Sequence, residues 1–310
     1  MQRTSKSPRK VALEALAVAR ATLPAYSHRN SPRKFTQHQL FAILVLKSHQ
    51  QQDYRGVVAL LEDMPQLVEE LELKVIPHFT TLQKAADRLL SFGQVQQLLS
   101  ATVEQFRKKS SRPIEIAAAD STGMDTSRAS RYFVRRRNSA SKIEQTVAYS
   151  RFPKLELICD CSCHLILCAY ATTGPTVDLN SFRYLLFGTL RRVSVGTILA
   201  DAGYDTESNH RFARDGCGVR SVIPPLLGRP TQKLPSTPHR RRMKLYRDYR
   251  YGQRWQAESV MSMIKRNLGG FVAARSAMRR NADVMLKVLT HNIMLIVAVL
   301  VRLFYRAAAD

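Results

Sequence analysis

The chain has 310 residues, 45% of them hydrophobic, with 48 lysines and arginines against 24 aspartates and glutamates. This length and hydrophobic content predict a folded protein with a sizeable core and exclude a disordered chain. A formal net charge of +24 repels itself unless an anionic partner offsets it, so the charge favours nucleic acid as that partner.

A membrane-surface protein is the alternative class for so basic a chain. No apolar segment of a secretory signal follows the basic residues 1–10, and the longest apolar run near the end, residues 293–301, has nine residues. Nine residues are too few to cross a bilayer of about 30 Å, so this run predicts a buried helix and no membrane contact. Five cysteines without an export signal predict reduced thiols in a cytoplasmic, nucleoid-associated protein.

Residues 1–105 predict a basic tail followed by a helical DNA-binding region. Helical periodicity covers residues 11–22, 36–50, 54–61, 65–73 and 80–91, and Thr80 or Thr81 is the predicted N-cap of the last helix. Short helices with brief turns are typical of small DNA-binding domains and equally of other helical domains. Docking on DNA through residues 77–92, as in a helix-turn-helix, is therefore one of two interpretations.

Residues 114–119 predict a buried strand that ends at Asp120, where a turn of small residues begins. The segment at residues 128–142 contains five arginines and one lysine, together with two aromatic residues. Aromatic side chains can stack on bases while cations hold phosphates, so Arg135, Arg136 and Arg137 are candidate DNA-binding residues. A solvated loop without a ligand is the alternative for this segment.

Two strands are predicted next, at residues 155–159 and 165–171, and Asp178 is the predicted N-cap of a helix that runs to residue 190. The turn between the strands contains Cys159, Cys161, Cys163 and His164. Their spacing lacks the roughly two to four intervening residues of a zinc knuckle, so we expect buried thiols here and no zinc site.

Residues 196–200 predict another strand, which ends at Asp201, and Asp205 is the predicted cap of a helix through residue 214. A further strand is predicted at residues 219–223. The repeated order of strand, aspartate and small residue indicates mixed α/β architecture with Asp120 and Asp201 at one edge of a sheet.

Residues 224–250 are rich in proline and in basic residues, and they predict a mobile basic loop that becomes ordered on DNA. Arg241 and Arg242 are its candidate DNA-binding residues. The chain ends with a predicted apolar helix at residues 283–305, packed against the sheet.

A polar stripe follows the basic loop, on the helix predicted at residues 251–265. At about 100° per residue, Tyr251, Arg254, Glu258 and Lys265 fall within an arc of about 60°, beside an apolar face. An ordinary solvated face with an Arg254–Glu258 pair is the alternative interpretation.

Three carboxylates can converge if the stripe meets the edge of the sheet: Asp120, Asp201 and Glu258. Oxygen ligands of this kind suit Mg²⁺ or Mn²⁺. Two such ions, about 3.5–4 Å apart, can activate a nucleophile and stabilise the leaving oxygen in a phosphoryl displacement. In a chain this basic, the expected phosphodiester is DNA.

These motifs resemble the DDE transposases of bacterial and archaeal insertion sequences, in the group that has a Tyr-Arg-Glu-Lys pattern. The four stripe residues have that group's spacing of two, three and six intervening residues. The sequences DSTGM at Asp120 and DAGYD at Asp201 are similar to its first two acidic motifs.

The resemblance implies a ribonuclease-H-like fold, an α/β mixed sheet flanked by helices, after an N-terminal helical DNA-binding domain. The catalytic domain would cover residues 106–310, with the basic loop at residues 224–250. By the same resemblance, Asp120, Asp201 and Glu258 are catalytic and bind two Mg²⁺ or Mn²⁺ ions. Tyr251, Arg254 and Lys265 are implied to hold the DNA backbone.

The implied function is DNA transposition, with metal-dependent cleavage at the ends of a mobile element and attack of the released 3′-hydroxyl on target DNA. The implied partners are terminal inverted repeats, target DNA and a second copy of the chain, as a homodimer on paired ends. Only 56 residues separate Asp201 from Glu258, so the β-rich insertion of some relatives is expected to be absent and hairpin formation stays open. A non-catalytic repressor derived from a transposase and a structure-specific nuclease of the same fold are the alternatives.

Overall fold

The computed structural model describes residues 4–110, 112–126, 152–226, 234–245 and 248–307, without the side chains of Asp178 and residues 302–307. The helices before the sheet are α1 (Pro8–Thr22), α2 (Gln37–His49), α3 (Tyr54–Glu62), α4 (Pro65–Glu70), α5 (Phe79–Leu89) and α6 (Phe92–Lys109). The strands are β1 (Ile114–Gly123), β2 (Phe152–Asp160), β3 (Ile166–Gly174), β4 (Val195–Leu199) and β5 (Arg220–Val222). The remaining helices are α7 (Ser181–Leu190), α8 (Glu207–Arg211), α9 (Pro238–Leu245), α10 (Trp255–Leu268) and α11 (Ala277–Ala307).

The first helices begin where the sequence offers caps. The Ser7 hydroxyl accepts a bond from the Lys10 N–H, and Pro8 occupies the first turn of α1, where its missing N–H costs nothing. At the start of α2, Thr36 and Gln39 form a reciprocal capping box. The helices predicted in these two regions are confirmed.

Helix α5 begins earlier than predicted, and α6 was not predicted. The His78 ring caps α5 by accepting a bond from the Thr80 N–H, so the predicted cap at Thr80 or Thr81 is wrong. Gly93 and the polar residues near the start of α6 obscure its periodicity. Its buried residues nevertheless recur at helical spacing, at Val95, Leu98, Leu99, Thr102, Val103 and Phe106.

The five strands form one mixed sheet in the order β3-β2-β1-β4-β5. Strand β2 is antiparallel to both β1 and β3, whereas β4 is parallel to both β1 and β5. Helices pack on this sheet, so the predicted mixed sheet flanked by helices is confirmed. The parallel half contains β1, which includes Asp120, and β4, which precedes Asp201.

Helix α11 joins the N-terminal helices to the sheet. It packs against α1, α2 and α6 and also against β2 and β3, so the apolar side chains form one continuous core. Residues 277–301 are long and apolar enough to cross a membrane, but 78% of the most apolar 18-residue stretch is buried inside the protein. In this structure α11 is therefore a core helix. The domain boundary at residue 105 stays a prediction.

Two predicted helix caps are wrong. Asp178 lies in a 3-10 turn, and α7 begins only at Ser181. At α8, the Thr206 hydroxyl accepts the capping bond from the Asn209 N–H, at 3.1 Å. Asp205 is instead buried and accepts a bond from the Leu226 N–H.

The predicted mobile loop at residues 224–250 contains a helix. Residues 238–245 form α9, and residues 249–253 form a 3-10 turn whose cap is Asp248. Both elements are held by ion pairs with the β4–β5 region, and sequence periodicity cannot show such pairs. The prediction of a loop is therefore wrong at residues 238–245, whereas mobility and ordering on DNA stay a prediction.

Candidate active site

Strand register brings Asp120 and Asp201 together at one edge of the sheet. The parallel pairing of β1 with β4 ends with Ala118 opposite Leu199, and each aspartate lies two residues beyond that last pair. Neighbouring strands are about 4.8 Å apart, so the two residues stand next to each other at this edge, and the charge of Asp201 raises the pKa of Asp120.

Asp120 does not end its strand as predicted. Strand β1 continues to Gly123, because its antiparallel partner β2 continues to pair there, with Gly123 opposite Lys154. Only the parallel partner β4 has ended by this point. Asp120 therefore lies on a strand that is still paired with β2 on one side and extends beyond the end of β4 on the other.

Backbone N–H groups orient both aspartates. The Ser121 N–H donates to Asp120 Oδ1 at 2.8 Å. Asp201 caps the short 3-10 turn at Ala202–Tyr204 and accepts a bond from the Gly203 N–H at 3.0 Å. Each carboxylate has one oxygen engaged by the backbone, which restricts its rotation.

Helix α10 brings Glu258 to the same edge. This helix begins at Trp255, and Tyr251 lies in the preceding 3-10 turn, so the prediction of one helix over residues 251–265 is wrong. Asp248 initiates the turn by accepting a bond from the Arg250 N–H. Glu258 and Lys265 lie on α10, whereas the position of Tyr251 is set by the 3-10 turn before it.

Arg254 links two of the carboxylates. Its Nη1 lies 3.8 Å from Asp120 Oδ2, and its Nη2 contacts Glu258 Oε1 on the next turn of α10. The Glu258 side chain is 55% exposed, whereas that of Asp120 is 16% exposed. Asp120 is thus held in place, and Glu258 has room to change rotamer.

The carboxylates influence one another electrostatically. Burial raises the pKa of Asp120, while the Ser121 N–H and Arg254 lower it and the charges of Asp201 and Glu258 raise it further. Burial lowers the pKa of Arg254, but Glu258 and Asp120 are among the groups that offset this, and the net pKa is raised. The site therefore collects negative charge that the Arg254 guanidinium offsets in part.

Tyr251 and Lys265 flank the carboxylates. Burial raises the pKa of Tyr251, so its hydroxyl stays protonated at neutral pH and can donate a hydrogen bond. The Lys265 ammonium donates to the Thr122 hydroxyl of β1 at 2.7 Å. Thr122 was not predicted as a site residue, although it stands two residues after Asp120.

The three carboxylates have the right chemistry for a hard divalent cation, since they offer oxygen ligands next to a solvent-facing edge. Among the residues that the structure describes, no three His, Cys, Asp or Glu side chains are grouped closely enough to hold a metal ion. Arg254 occupies the space between Asp120 and Glu258.

The start of α10 is anchored by histidines that the sequence did not single out for this role. His164, at the β2–β3 turn, shares a hydrogen bond with Gln256, and the His164 carbonyl accepts one from His291 Nε2 at 3.0 Å. Gln256 is buried and lies two residues before Glu258. A residue considered for zinc binding instead positions the helix that carries Glu258.

The end of α10 is anchored by a buried lysine that sequence reasoning missed. Lys287 of α11 donates to the carbonyls of Leu268, Gly269 and Phe271 at 2.6, 2.8 and 3.3 Å. The next residues bridge to the strand of Asp120, because the Asp125 N–H donates to the Gly270 carbonyl at 3.0 Å. A lone lysine in an apolar helix gave no signal of this contact in the sequence.

Two further predicted DNA-binding residues lie on α9. Arg241 and Arg242 are exposed on α9, which has no buried residue. Arg135, Arg136 and Arg137 lie outside the described residues.

Comparison with known proteins gives a family match and several distant structural likenesses. The model of the transposase DDE domain matches residues 111–295. No curated protein sequence matches the chain. The family assignment therefore comes from the domain model.

Three solved structures of the Mos1 transposase are similar to the chain at low identity. The paired-end complex with left transposon end has 16% identity and a TM-score of 0.23, and the match covers 64% of this chain and 61% of that chain. The mariner paired end complex with Mn has 13% identity and a TM-score of 0.25, and the match covers 87% of this chain and 82% of that chain. A pre-cleavage transpososome has 15% identity and a TM-score of 0.22, and the match covers 89% of this chain and 81% of that chain. The match with the first spans less than two thirds of the length of that protein.

Proposed function

Because this chain belongs to the transposase DDE domain family and is a DDE-type transposase, we propose that it cleaves DNA at the ends of a mobile element and joins the released 3′-hydroxyl to target DNA. One observation carries the proposal. Asp120 and Asp201 stand at matching positions beyond the last β1–β4 pair, and Arg254 links Asp120 to Glu258.

Asp120, Asp201 and Glu258 are the residues that would hold Mg²⁺ or Mn²⁺, as two ions. When bound, such ions would activate the attacking water or hydroxyl and offset charge on the phosphate. The raised pKa of Asp120 reflects repulsion from Asp201 and Glu258 as well as burial, and divalent cations relieve that repulsion. The proposal therefore expects cation binding and proton release at this site to be coupled.

Arg254 has two states in this proposal. Without DNA it pairs with Asp120 and Glu258. With DNA bound, its guanidinium turns to a phosphate oxygen, which it can hold through two N–H donors. Glu258 is then free to join the aspartates.

Tyr251 and Lys265 would hold the phosphate on the two sides of Arg254. The Tyr251 hydroxyl donates a hydrogen bond, because its raised pKa keeps the proton in place. The Lys265 ammonium is held toward the site by Thr122 at 2.7 Å. No nucleophilic side chain is needed, since water and the DNA 3′-hydroxyl are the nucleophiles.

The wider setting is also part of the proposal. We assign residues 106–310 to a ribonuclease-H-like catalytic domain of the insertion-sequence group with the Tyr-Arg-Glu-Lys motif, and residues 1–105 to a helical DNA-binding region. Its partners would be terminal inverted repeats and target DNA, bound by a homodimer on paired ends in the nucleoid. The excess of basic residues supports an extended DNA contact.

Cleavage of a DNA substrate that contains an element end, in the presence of Mg²⁺, tests the proposal. We expect Glu258→Gln to lower strand cleavage by about 10³-fold or more, because the amide removes a charged ligand while it keeps the side-chain shape. Glu104→Gln is the matched control, since Glu104 is an exposed residue of α6 that pairs only with Lys108 among the described residues. Full cleavage by Glu258→Gln would refute the catalytic assignment.

Strand transfer separates the proposal from its alternatives. A protein that cleaves the ends without joining them to target DNA would be a nuclease. A protein that binds the ends and is insensitive to removal of divalent metal would be a repressor.

A further inference from the structure

Helix α9 is too short and too basic to be helical by itself. Four of its eight residues, in the sequence PHRRRMKL, are lysine or arginine, and none of the eight is buried. Isolated helices shorter than about 12 residues are marginal in water, and neighbouring like charges weaken them further. Contacts with other parts of the protein must therefore hold α9 in its helical form.

Three carboxylates from the segment after β4 make those contacts, and we call Asp205, Glu207 and Asp215 the acidic clamp. Asp205 Oδ2 accepts bonds from Arg240 Nε at 2.9 Å and Arg240 Nη2 at 2.8 Å. Asp215 Oδ2 lies 3.3 Å from His239 Nε2. Two successive residues of the first turn of α9 are thus paired with acidic residues.

Glu207 caps the helix directly. Its Oε1 accepts a bond from the His239 N–H at 3.3 Å, and its Oε2 accepts one from the Arg240 N–H at 3.2 Å. These N–H groups belong to the first turn and have no partner within the helix. A carboxylate here both satisfies the donors and interacts favourably with the helix dipole.

The clamp leaves the outer face of α9 exposed to solvent. Arg241 and Arg242 are exposed on that face. The clamp residues follow Asp201 closely in the chain, so the clamp joins the helix that carries these arginines to the segment after Asp201.

We propose that Asp205 and Glu207 are positioning residues that hold α9 as a helix before DNA binds, so that Arg241 and Arg242 meet backbone phosphates from a pre-ordered surface. Ordering the helix in advance removes an entropy cost from binding. The choice of DNA as the partner rests on the proposed function, whereas the clamp itself does not.

The variant Glu207→Gln tests the proposal, because the change in net charge and the loss of the cap predict opposite changes in DNA affinity. The substitution raises the net charge of an already basic protein, so simple electrostatics predicts tighter DNA binding. Loss of the cap predicts amide exchange about fivefold faster in α9 and binding to a short linear duplex about threefold weaker. Both are measured on the full chain, by hydrogen exchange with mass spectrometry and by a titration at fixed salt.

Three further variants complete the experiment. Glu104→Gln makes the same charge change on α6, away from α9, and should leave exchange in α9 unchanged. Asp215→Asn removes an exposed clamp residue and should shift exchange and binding as Glu207→Gln does, by less. The double variant Arg241→Gln and Arg242→Gln should weaken binding, while exchange in α9 should be no faster than in the unmodified protein, because two like charges are removed.

The outcomes separate the clamp from the proposed function. Unchanged exchange in α9 of Glu207→Gln and Asp215→Asn would overturn the clamp. Faster exchange with equal or tighter DNA binding would overturn the contact between α9 and DNA. If the unmodified protein binds no DNA, the proposed function and the DNA contact both fail, and the exchange data still decide the clamp.

Discussion

Replacing Lys287 with methionine should loosen the end of α10 and thereby the whole active site. The Lys287 ammonium is buried and donates to three carbonyls at the end of that helix. Methionine has a similar length and packs in the same space, but it offers no donor. The carbonyls of Leu268, Gly269 and Phe271 would lose this partner.

The expected loss of stability follows from two opposing effects. A buried carbonyl that loses its donor costs about 1 kcal/mol or more, and the lysine serves three of them. Burial lowers the pKa of Lys287, which shows that placing the charge there is itself unfavourable, and removal of the charge recovers that part. We expect a net loss of about 2 kcal/mol, or a decrease in Tm of about 3–6 °C.

The cleavage rate should fall by more than the loss of folded protein explains. The segment that Lys287 holds bridges to Asp125, close to Asp120 and Thr122 on the same chain segment. A shift of this segment moves Lys265 relative to Thr122, and small misplacements of site residues can reduce rates by about tenfold to 10²-fold. We expect cleavage per folded molecule to fall by about tenfold.

Lys47→Met is the matched control, and Lys287→Gln is the graded variant. Lys47 is a nearby, largely buried lysine whose ammonium pairs with Asp283 at 3.4 Å and lies over the Tyr54 ring, and neither partner belongs to α10. Its replacement should lower Tm by less and leave cleavage per folded molecule unchanged. Glutamine at position 287 keeps an N–H donor and should fall between lysine and methionine.

A result with lower Tm but normal cleavage per folded molecule would refute the positioning role and leave Lys287 a stabilising residue only. A result with unchanged Tm would refute the reasoning about the three carbonyls. Circular dichroism melts and Mg²⁺-dependent cleavage assays on the same samples provide both measurements.

Two further predictions follow from contacts near the site. Thr122→Val removes the hydroxyl that accepts a hydrogen bond from Lys265. It should weaken DNA binding by about threefold to tenfold in a titration at fixed salt, with little change in Tm. Unchanged affinity would contradict a role of this contact in orienting Lys265. Burial lowers the pKa of His291 to about 4, below its value of about 6.5 in the unfolded chain. Between these two pH values the unfolded chain binds a proton at His291 and the folded protein does not, so the free energy of unfolding falls as pH falls from about 6.5 toward 4. His291→Gln should remove about 2–3 kcal/mol of that loss between pH 7 and pH 4.5 in urea unfolding, and an unaltered pH dependence would show that His291 is not the group responsible.

The short-range features of this protein could be predicted from its sequence because they depend on neighbouring residues. The strand residues before Asp120 and Asp201 are mostly apolar, and the helix predicted at residues 36–50 differs from α2 by one residue at each end. The spacing of Arg254, Glu258 and Lys265 is a property of the chain, and the resemblance to DDE transposases agrees with the family match at residues 111–295. The errors at these elements are shifts of boundary, as at Tyr251, where a 3-10 turn replaces the first turn of the helix.

The tertiary structure alone decided how these features meet. No periodicity shows that Ala118 pairs with Leu199, yet this register sets the two aspartates side by side. The basic segment before α10 looked mobile because its composition is unfavourable for a helix, and carboxylates distant in the sequence overcome that preference. Lys287 likewise acts through carbonyls that lie near it only after folding. Local preference is encoded within a few residues, whereas register, buried ion pairs and carbonyl acceptors depend on which distant segments the core brings together.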